Sequence, residues 1–235
     1  MIKRILSVFV ALTLVSCAEL QQVVNQLPQD TSTIGNLDIA AGLRQALDLG
    51  IDKQVSKLTA KDGFFKNELV KIVLPEELKK VDKGLRDIGL GKLADEGLKV
   101  LNRAAEDAVK EATPIFVDAV KGITFDDAKN ILLGNDDAAT QYLSQRTKSA
   151  LYAKFHPVIK NSFGKVGADQ IWANLINKYN AIPFTSNVNP DLTDYVTGEA
   201  LDGVYTMISV EEKEIRNKVS SRTTDLLRKV FALQD

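Results

Sequence analysis

The spacing of the apolar side chains restricts the fold of this chain more than any other sequence feature. Between residues 37 and 60 they recur every three or four positions, which places them on one helix face for about five turns: Ile39, Leu43, Leu47, Ile51, Val55 and Leu58. Similar stripes recur along the rest of the chain. Two-residue alternation, typical of half-buried strands, occurs only in segment 70–74, which could form a small strand. We therefore expect an all-α fold of about eight to ten helices.

Residues that begin or interrupt helices support this interpretation. Thr124-Phe-Asp-Asp127 forms a capping box at the start of one helix, and Ser209-Val-Glu-Glu212 is a second box that predicts the start of the final helix. Pro157 should kink or end the long helix that follows residue 137. Gly198 and Gly203 should break or crowd the helix that precedes Ser209.

The N-terminus has the pattern of a secretory signal. Lys3 and Arg4 precede an apolar stretch of 12 residues, 5–16, which is shorter than the about 20 residues that a membrane-spanning helix needs. Its end, Leu14-Val15-Ser16-Cys17, resembles the lipobox at which bacterial lipoproteins are cleaved before a cysteine and acylated on it. The resemblance implies that Cys17 is the lipid attachment site and holds the mature chain to a membrane. The alternative is an ordinary signal peptide that ends at a cysteine by chance.

The stretch after Cys17 is rich in Gln, Asn, Thr, Ser and Pro, the composition of a flexible tether. Its 19 residues, 18–36, would reach about 25 Å as a random coil. The apolar residues in this stretch nevertheless have helical spacing, so the alternative is a short helix lying on the membrane: Leu20, Val23, Val24 and Leu27. We favour the tether because the polar face of such a helix would lack lysine and arginine.

The domain boundaries follow from these features. We expect a signal peptide at 1–16, the acylated cysteine and tether at 17–36, and a single compact helical domain at 37–235. The polar, proline-bounded stretch 183–190 is the place at which this domain could divide. Ala18 follows the cysteine where an aspartate would favour the inner membrane, so we expect an outer-membrane protein that faces the periplasm.

Composition argues against several classes of partner. One cysteine and one histidine form neither an internal disulfide nor, by themselves, a zinc site. Loss of Lys3 and Arg4 with the signal peptide reduces the basic side chains from 30 to 28 against 31 acidic ones, a net charge of −3. Nucleic acid is therefore not an expected partner. We also expect no metal ion and no cofactor.

Three patterns resemble catalytic or ligand-binding motifs, but each lacks the sequence context that its function requires. Gly89-Leu-Gly-Lys-Leu-Ala94 has the letters of a dinucleotide fingerprint, but a helical pattern rather than a strand precedes it. Segment 187–198 alternates oxygen ligands like a calcium loop but lacks its glycine and its glutamate. His156 is the one histidine, and no Gly-x-Ser-x-Gly motif accompanies it. We assign no catalytic, metal-binding or cofactor-binding residue.

Six polar residues occur inside segments that are otherwise helical and apolar: Asn102, Arg103, Glu106, Asp202, Glu212 and Arg216. Glu212 and Arg216 are four positions apart and can pair along one helix face. The simpler interpretation is that these residues pair at the surface and buttress neighbouring helices. The alternative is a polar lining for a pocket between helices, which requires Arg103 and Arg216 to lie together.

A series of short motifs runs in order through nearly the whole mature chain. It includes Lys61-Asp-Gly-Phe-Phe65, Leu101-Asn-Arg-Ala-Ala-Glu106, Asp126-Asp-Ala-Lys-Asn-Ile-Leu-Leu-Gly134 and Tyr195-Val-Thr-Gly-Glu-Ala-Leu-Asp-Gly203. Together these motifs resemble the bacterial family catalogued as domain of unknown function 4197 (DUF4197). The resemblance implies an all-helical envelope protein, often a lipoprotein, and implies no reaction.

Three functions are compatible with these features, and we rank them in the order given. The first is a non-catalytic, lipid-anchored envelope module that binds or supports a partner protein. The second is a binding module for an apolar ligand, such as a lipid or cell-wall precursor, held between the helices. The third is a hydrolase with paired carboxylates, for which Glu211-Glu212-Lys-Glu214 offers the acids, although this segment looks like the solvated first turn of a helix.

Overall fold

The computed structural model describes residues 36–75, 91–181 and 187–234, together with residues 79, 83, 86, 87, 89, 183 and 184 in the two gaps. Asn36–Asp235 form one compact unit. The predicted signal peptide, Cys17 and nearly all of the predicted tether lie outside the described residues, as do parts of the predicted loop 183–190.

The described part of the chain contains eight α-helices and no strand, which confirms the all-α prediction. One short 3-10 helix, Val219–Ser221, precedes the last α-helix. The α-helices are α1 Asn36–Thr59, α2 Gly91–Val109, α3 Ala112–Lys121, α4 Phe125–Leu132, α5 Ala138–Gly164, α6 Ala168–Asn180, α7 Leu192–Asn217 and α8 Asp225–Phe231.

The centre of the body is the antiparallel pair α5 and α7. Thr140, near the start of α5, bonds Glu212, near the end of α7, whereas Tyr152, further along α5, bonds Asp194 at the start of α7. The predicted apolar stripe of α1 packs against this centre, since five of its six members are buried and Ile39 is half-buried. Sequence periodicity therefore identified the buried face of α1 correctly.

Helix α7 runs without interruption from Leu192 to Asn217, so the predicted helix start at Ser209 is wrong. Of the two effects predicted for Gly198 and Gly203, a break or crowding, the break does not occur. Gly203 provides close packing instead, because a Cβ there would lie 2.7 Å from Cε1 of the fully buried Phe64. Apolar residues on both sides of Ser209 form one buried stripe. Burial of that stripe outweighs the local preference for a capping box.

The capping box at Thr124 is confirmed. Its hydroxyl accepts a hydrogen bond from the amide of Asp127 (3.1 Å), and the Asp127 carboxylate accepts one from the amide of Thr124 (2.9 Å). The backbone N–H of Thr124 lowers the pKa of Asp127 by stabilising its carboxylate. This local motif therefore starts α4 as its sequence predicts.

Two other expectations need correction. Of the two effects predicted for Pro157, a kink or an end of the helix, the end does not occur, because α5 continues to Gly164. Pro157 and Ala153 are both exposed, so water can bind the carbonyl that the proline leaves without a helical donor. Segment 70–74 is irregular rather than a strand. It packs against a helix, and its hydrogen-bonding partner is a side chain, as described below.

None of the helices in the described ranges combines the length and the apolarity that crossing a membrane requires.

Candidate functional site

Asn102 binds the irregular segment 70–74 to α2. Its side chain is fully buried, and its amide exchanges two hydrogen bonds with the backbone of Ile72, one to the N–H and one to the carbonyl, both 2.8 Å long. A neighbouring strand would make the same pair of bonds. The amide of Asn102 thus takes the place of a strand partner, which explains why a strand-like sequence forms no strand.

Arg103 and Glu106 bind the loop that follows α1. Arg103 reaches Glu106 at 2.6 Å and Asp62 at 2.8 Å, and Glu106 also accepts a bond from the backbone N–H of Phe64. Lys66 and Arg103 lower the pKa of Asp62, the hydrogen bond from Lys66 having the largest effect. Glu106 is buried, whereas the Arg103 side chain is 41% exposed. These contacts attach residues 62–64 to α2 and leave one side of Arg103 in water.

Glu212 and Arg216 form a buried ion pair that joins two other helices. The Glu212 carboxylate accepts bonds from the backbone N–H groups of Ala139 and Thr140, both at 2.9 Å, and from the Thr140 hydroxyl. These N–H groups belong to the first turn of α5, where helix N–H groups have no partner within the helix. Glu212 therefore caps α5 from a distant part of the chain, and its negative charge faces the positive end of the helix dipole.

Arg216 completes this arrangement at the opposite kind of helix end. It bonds Glu212 (2.8 Å) and donates to the carbonyl oxygens of Ile131 (2.7 Å) and Leu132 (3.1 Å), in the last turn of α4. Only 4% of the Arg216 side chain is exposed. A positive charge is favourable at the C-terminal end of a helix, so both ions of the pair lie at the helix ends that stabilise them. The geometry is that of a helix-joining cap.

Glu211 is buried as well, so segment 211–214 is not the solvated first turn that its composition suggested. Its carboxylate accepts bonds from Lys53 (2.6 Å) and Gln54 (2.5 Å) on α1. The sequence analysis named Glu211 as an acid but did not predict that it is buried. A usable signal existed, because Glu211 continues the three- and four-residue steps of Val204, Ile208 and Ile215 along α7.

Asp202 lies apart from both groups. It is exposed on α7 and borders a surface groove with Thr206, Ser209 and Lys213. Burial raises the pKa of the neighbouring Glu199, and the charge of Asp202 adds to that rise. In the ranges that the structure describes, the hydrogen bonds of Asn102, Arg103 and Glu106 go to segment 62–72 and helix α2, whereas those of Glu212 and Arg216 go to α4 and α5. The six residues therefore form no common pocket lining.

A small cavity of about 20 Å³ lies beside the Glu212–Arg216 pair. Apolar side chains from α1, α7 and α8, including Leu47, Ile208 and Phe231, form most of its lining. Such a volume admits about one water molecule, whereas drug-sized ligands occupy pockets of roughly 300–1,000 Å³. Larger clefts, of about 400–470 Å³, are open to the surface.

The one histidine of the chain lies beside a tyrosine on the same helix. His156 is half-buried on α5, and its ring centroid lies 5.5 Å from that of Tyr152. A hydrogen bond to Asp194 raises the pKa of Tyr152 to about 12. Within the described residues, no three His, Cys, Asp or Glu side chains come together as a metal site would require.

Arg222 was not recognised in the sequence, yet its side chain is among the most deeply buried. It donates to the carbonyl oxygens of Ile215 (3.1 Å) and Arg216 (2.9 Å) and thereby caps the end of α7. Arg228 in turn donates to the carbonyl of Arg222 (3.0 Å). The burial of Arg222 could not be predicted from the sequence, because it depends on how the chain turns back after α7.

Comparison with known proteins identifies a family but no characterised relative. No curated protein and no solved structure matches the chain. Residues 33–232 match a family described as "Protein of unknown function (DUF4197)". The match includes every helix described above and both polar groups, and it confirms the resemblance seen in the sequence. The chain therefore belongs to the DUF4197 family.

Proposed function

We propose that this protein is a non-catalytic, lipid-anchored helical module of the bacterial cell envelope that binds or supports a partner protein there. The observation that carries the anchor is the position of Cys17, the chain's one cysteine, at the end of the 12-residue apolar stretch 5–16. A free thiol is uncommon in an oxidising envelope, whereas an acylated cysteine leaves none. Ala18 supports the outer membrane and a domain that faces the periplasm.

Physical chemistry supports stable anchoring of this kind. Each methylene group buried in a bilayer contributes about 0.8 kcal/mol, and two acyl chains suffice to hold a protein at a membrane. A lipoprotein cysteine carries at least two chains. The anchor therefore needs no help from the helical body.

The contacts of the helical body support a binding or structural role. Asn102, Glu106, Glu212 and Arg216 are buried, and their polar atoms bond backbone groups, each other or the side chains of Arg103 and Thr140. Such contacts fix the packing of helices and loops. The cavity of about 20 Å³ is far smaller than a lipid, and the clefts of about 400–470 Å³ are open to the surface rather than enclosed. An apolar ligand enclosed between the helices is therefore less favoured than a protein partner.

The anchor is tested by comparing the wild-type protein with the Cys17→Ser variant. We expect the wild-type protein to fractionate with membranes and mass spectrometry to find an acylated N-terminus at Cys17. The variant should keep its uncleaved or unacylated N-terminus and lose the acyl masses. Ser16→Ala is the matched control, because it alters the neighbouring residue and leaves the lipobox cysteine. An unacylated wild-type protein would refute the proposal.

The partner is tested in living cells. Chemical crosslinking followed by purification of the wild-type protein should recover the same envelope protein in repeated experiments, and recovery should fall in the Cys17→Ser strain if anchoring places the module beside its partner. A chain that is always recovered alone would contradict the binding role.

A further inference from the structure

One end of the helical body, which we call the apolar end, exposes three aliphatic side chains: Leu133 (66% exposed), Val219 (59%) and Leu233 (49%). Leu133 and Leu233 line the same surface cleft, of about 420 Å³. Val219 follows two positions after Asn217, another residue of that cleft. Exposed apolar side chains that cluster in this way commonly mark a contact with a protein or a membrane.

Helix α1 begins toward this same end. Helix α7 runs antiparallel to α1, since Gln54 bonds Glu211 (2.5 Å) whereas Leu43, earlier in α1, lines a cavity with Ile215, further along α7. The end of α7 therefore lies toward Asn36, where α1 begins. Val219 comes just after that end of α7. Asn36, the first residue that the structure describes, accordingly lies toward the apolar end.

Side chains donate hydrogen bonds to backbone carbonyl oxygens at the apolar end, so these oxygens depend less on water. Helices α4, α7 and α8 all finish here, and helix ends leave carbonyl oxygens without helical donors. Arg216 and Gln234 donate to the carbonyls at the end of α4, and Arg222 donates to those at the end of α7. Since protein groups satisfy these carbonyls, a covering apolar surface would leave fewer of them unpaired.

The opposite end is too distant to share this environment. Helix α5 begins five positions after Leu133 and has 27 residues, so it extends about 40 Å away from the apolar end. Val166, 58% exposed, follows its last turn. A chain with the composition of residues 18–36 reaches about 25 Å. A body tethered at Asn36 therefore holds its apolar end nearest to the attachment point.

We propose that the apolar end rests on the lipid surface of the membrane that anchors the chain, with Leu133, Val219 and Leu233 entering the headgroup region. This inference rests on the proposed acyl anchor at Cys17. The tether keeps the body close to the bilayer, so a small apolar contact is sufficient to orient it. Lys129 and Lys229, in the last turns of α4 and α8, add two positive charges for anionic lipid headgroups, against the one acidic residue that lines the cleft, Asp136. The body then stands on the membrane with Val166 pointing away.

The test uses single spin labels on the full-length acylated protein. Cys17 is the one native cysteine and is consumed by acylation under the proposal, so an introduced cysteine is the one free thiol. Leu133→Cys and Leu233→Cys place labels at the apolar end, and Val166→Cys is the matched control at the other end. Each protein is reconstituted in vesicles of phosphatidylethanolamine and phosphatidylglycerol, and flotation of the vesicles confirms anchoring.

We expect the labels at 133 and 233 to lose accessibility to a water-soluble nickel chelate and to gain accessibility to oxygen, which concentrates in the bilayer. The label at 166 should keep its accessibility to the chelate. Equal chelate accessibility at all three positions in floating protein would overturn the inference and leave the anchor intact. Labels at 133 and 233 that are shielded from both reagents would also overturn it, because a protein partner or a second copy would then cover this end. Protein that does not float would refute the anchor itself, and the inference with it.

A second variant checks that lipid contact depends on the apolar side chains. A Val219→Cys label should be protected from the chelate in otherwise wild-type protein and should become accessible in the Leu133→Asp/Leu233→Asp background, whereas Val166→Asp should leave it protected. Protection that survives both aspartates would contradict the proposal. Circular dichroism confirms that each variant is folded, which is expected because the substituted positions are exposed.

Discussion

Replacement of Arg216 by methionine should destabilise the protein strongly, because Arg216 is buried and bonds three other residues. Its guanidinium makes two bonds to Glu212 (3.0 and 2.8 Å) and one each to the carbonyls of Ile131 and Leu132. The two side chains are only 4% and 6% exposed. The substitution therefore leaves a buried carboxylate without its counter-ion and removes one hydrogen bond from each of the carbonyls of Ile131 and Leu132.

The expected loss in the free energy of unfolding follows from the burial of this ion pair. Removal of one partner from a buried ion pair costs about 3–5 kcal/mol. Glu212 keeps its three hydrogen bonds from Ala139 and Thr140 at the start of α5, which partly stabilise the remaining charge, so we expect about 3–4 kcal/mol. For a domain of this size, that loss lowers Tm by about 6–16 °C.

Urea and thermal unfolding, followed by far-ultraviolet circular dichroism, would measure the loss. Lys218→Met is the matched control, because Lys218 and Glu214 form a pair with the same spacing and the same 2.8 Å distance but are 58% and 40% exposed. An exposed pair contributes about 0.5 kcal/mol. If Arg216→Met costs no more than Lys218→Met, the buried pair does not join α4 and α5 as described.

Three further perturbations test other contacts. Gly203→Ala should lower the free energy of unfolding by about 1–3 kcal/mol, because the added methyl group crowds Phe64. At Gly198 the methyl group would meet no atom within 4 Å, so Gly198→Ala should raise the free energy of unfolding by about 0.5–1 kcal/mol. Equal effects of the two substitutions in urea unfolding would contradict this packing. Asn102→Leu should lower the free energy of unfolding by about 2–4 kcal/mol, because it leaves the buried backbone groups of Ile72 without their partner. Limited proteolysis should then cut within residues 60–75. Unchanged stability would refute the strand-like role of the amide. Asp127 has a pKa below its usual 3.8 in the folded state, so its contribution is present above pH 3.8 and is lost as the pH falls through the lowered pKa. Asp127→Asn should therefore cost about 0.5–1 kcal/mol at neutral pH and almost nothing in acid, and a pH-independent difference in unfolding free energy would argue against the capping box.

The features that could be predicted from sequence are those in which neighbouring residues supply the whole interaction. The stripe of α1 and the box at Thr124 involve positions three or four apart. The break at Gly203 and the start at Ser209 were wrong because both residues lie in a helix whose continuity depends on packing against Phe64, α1 and α5. Local signals were correct where tertiary packing agreed with them.

At the candidate site, too, the local interaction could be predicted from the sequence and the distant partners could not. The sequence marked Glu212 and Arg216 as a pair four positions apart, which they are. It did not show that their partners are the ends of α4 and α5, more than 70 residues away in the chain. The burial of Glu211 and Arg222 was not predicted, because the burial of a charge depends on groups that distant segments bring to it.

By itself, the sequence determined the helical fold, the buried face of α1 and membership of the DUF4197 family. Periodicity and family motifs are written in residue order, so they can be read without coordinates. Only the tertiary structure decided which polar residues are buried, which helix ends they cap and which apolar side chains remain at the surface. Those properties arise when segments that are distant in sequence come together. Hydrogen bonding and desolvation act over only a few ångströms, so they take effect only after folding has brought these segments into contact.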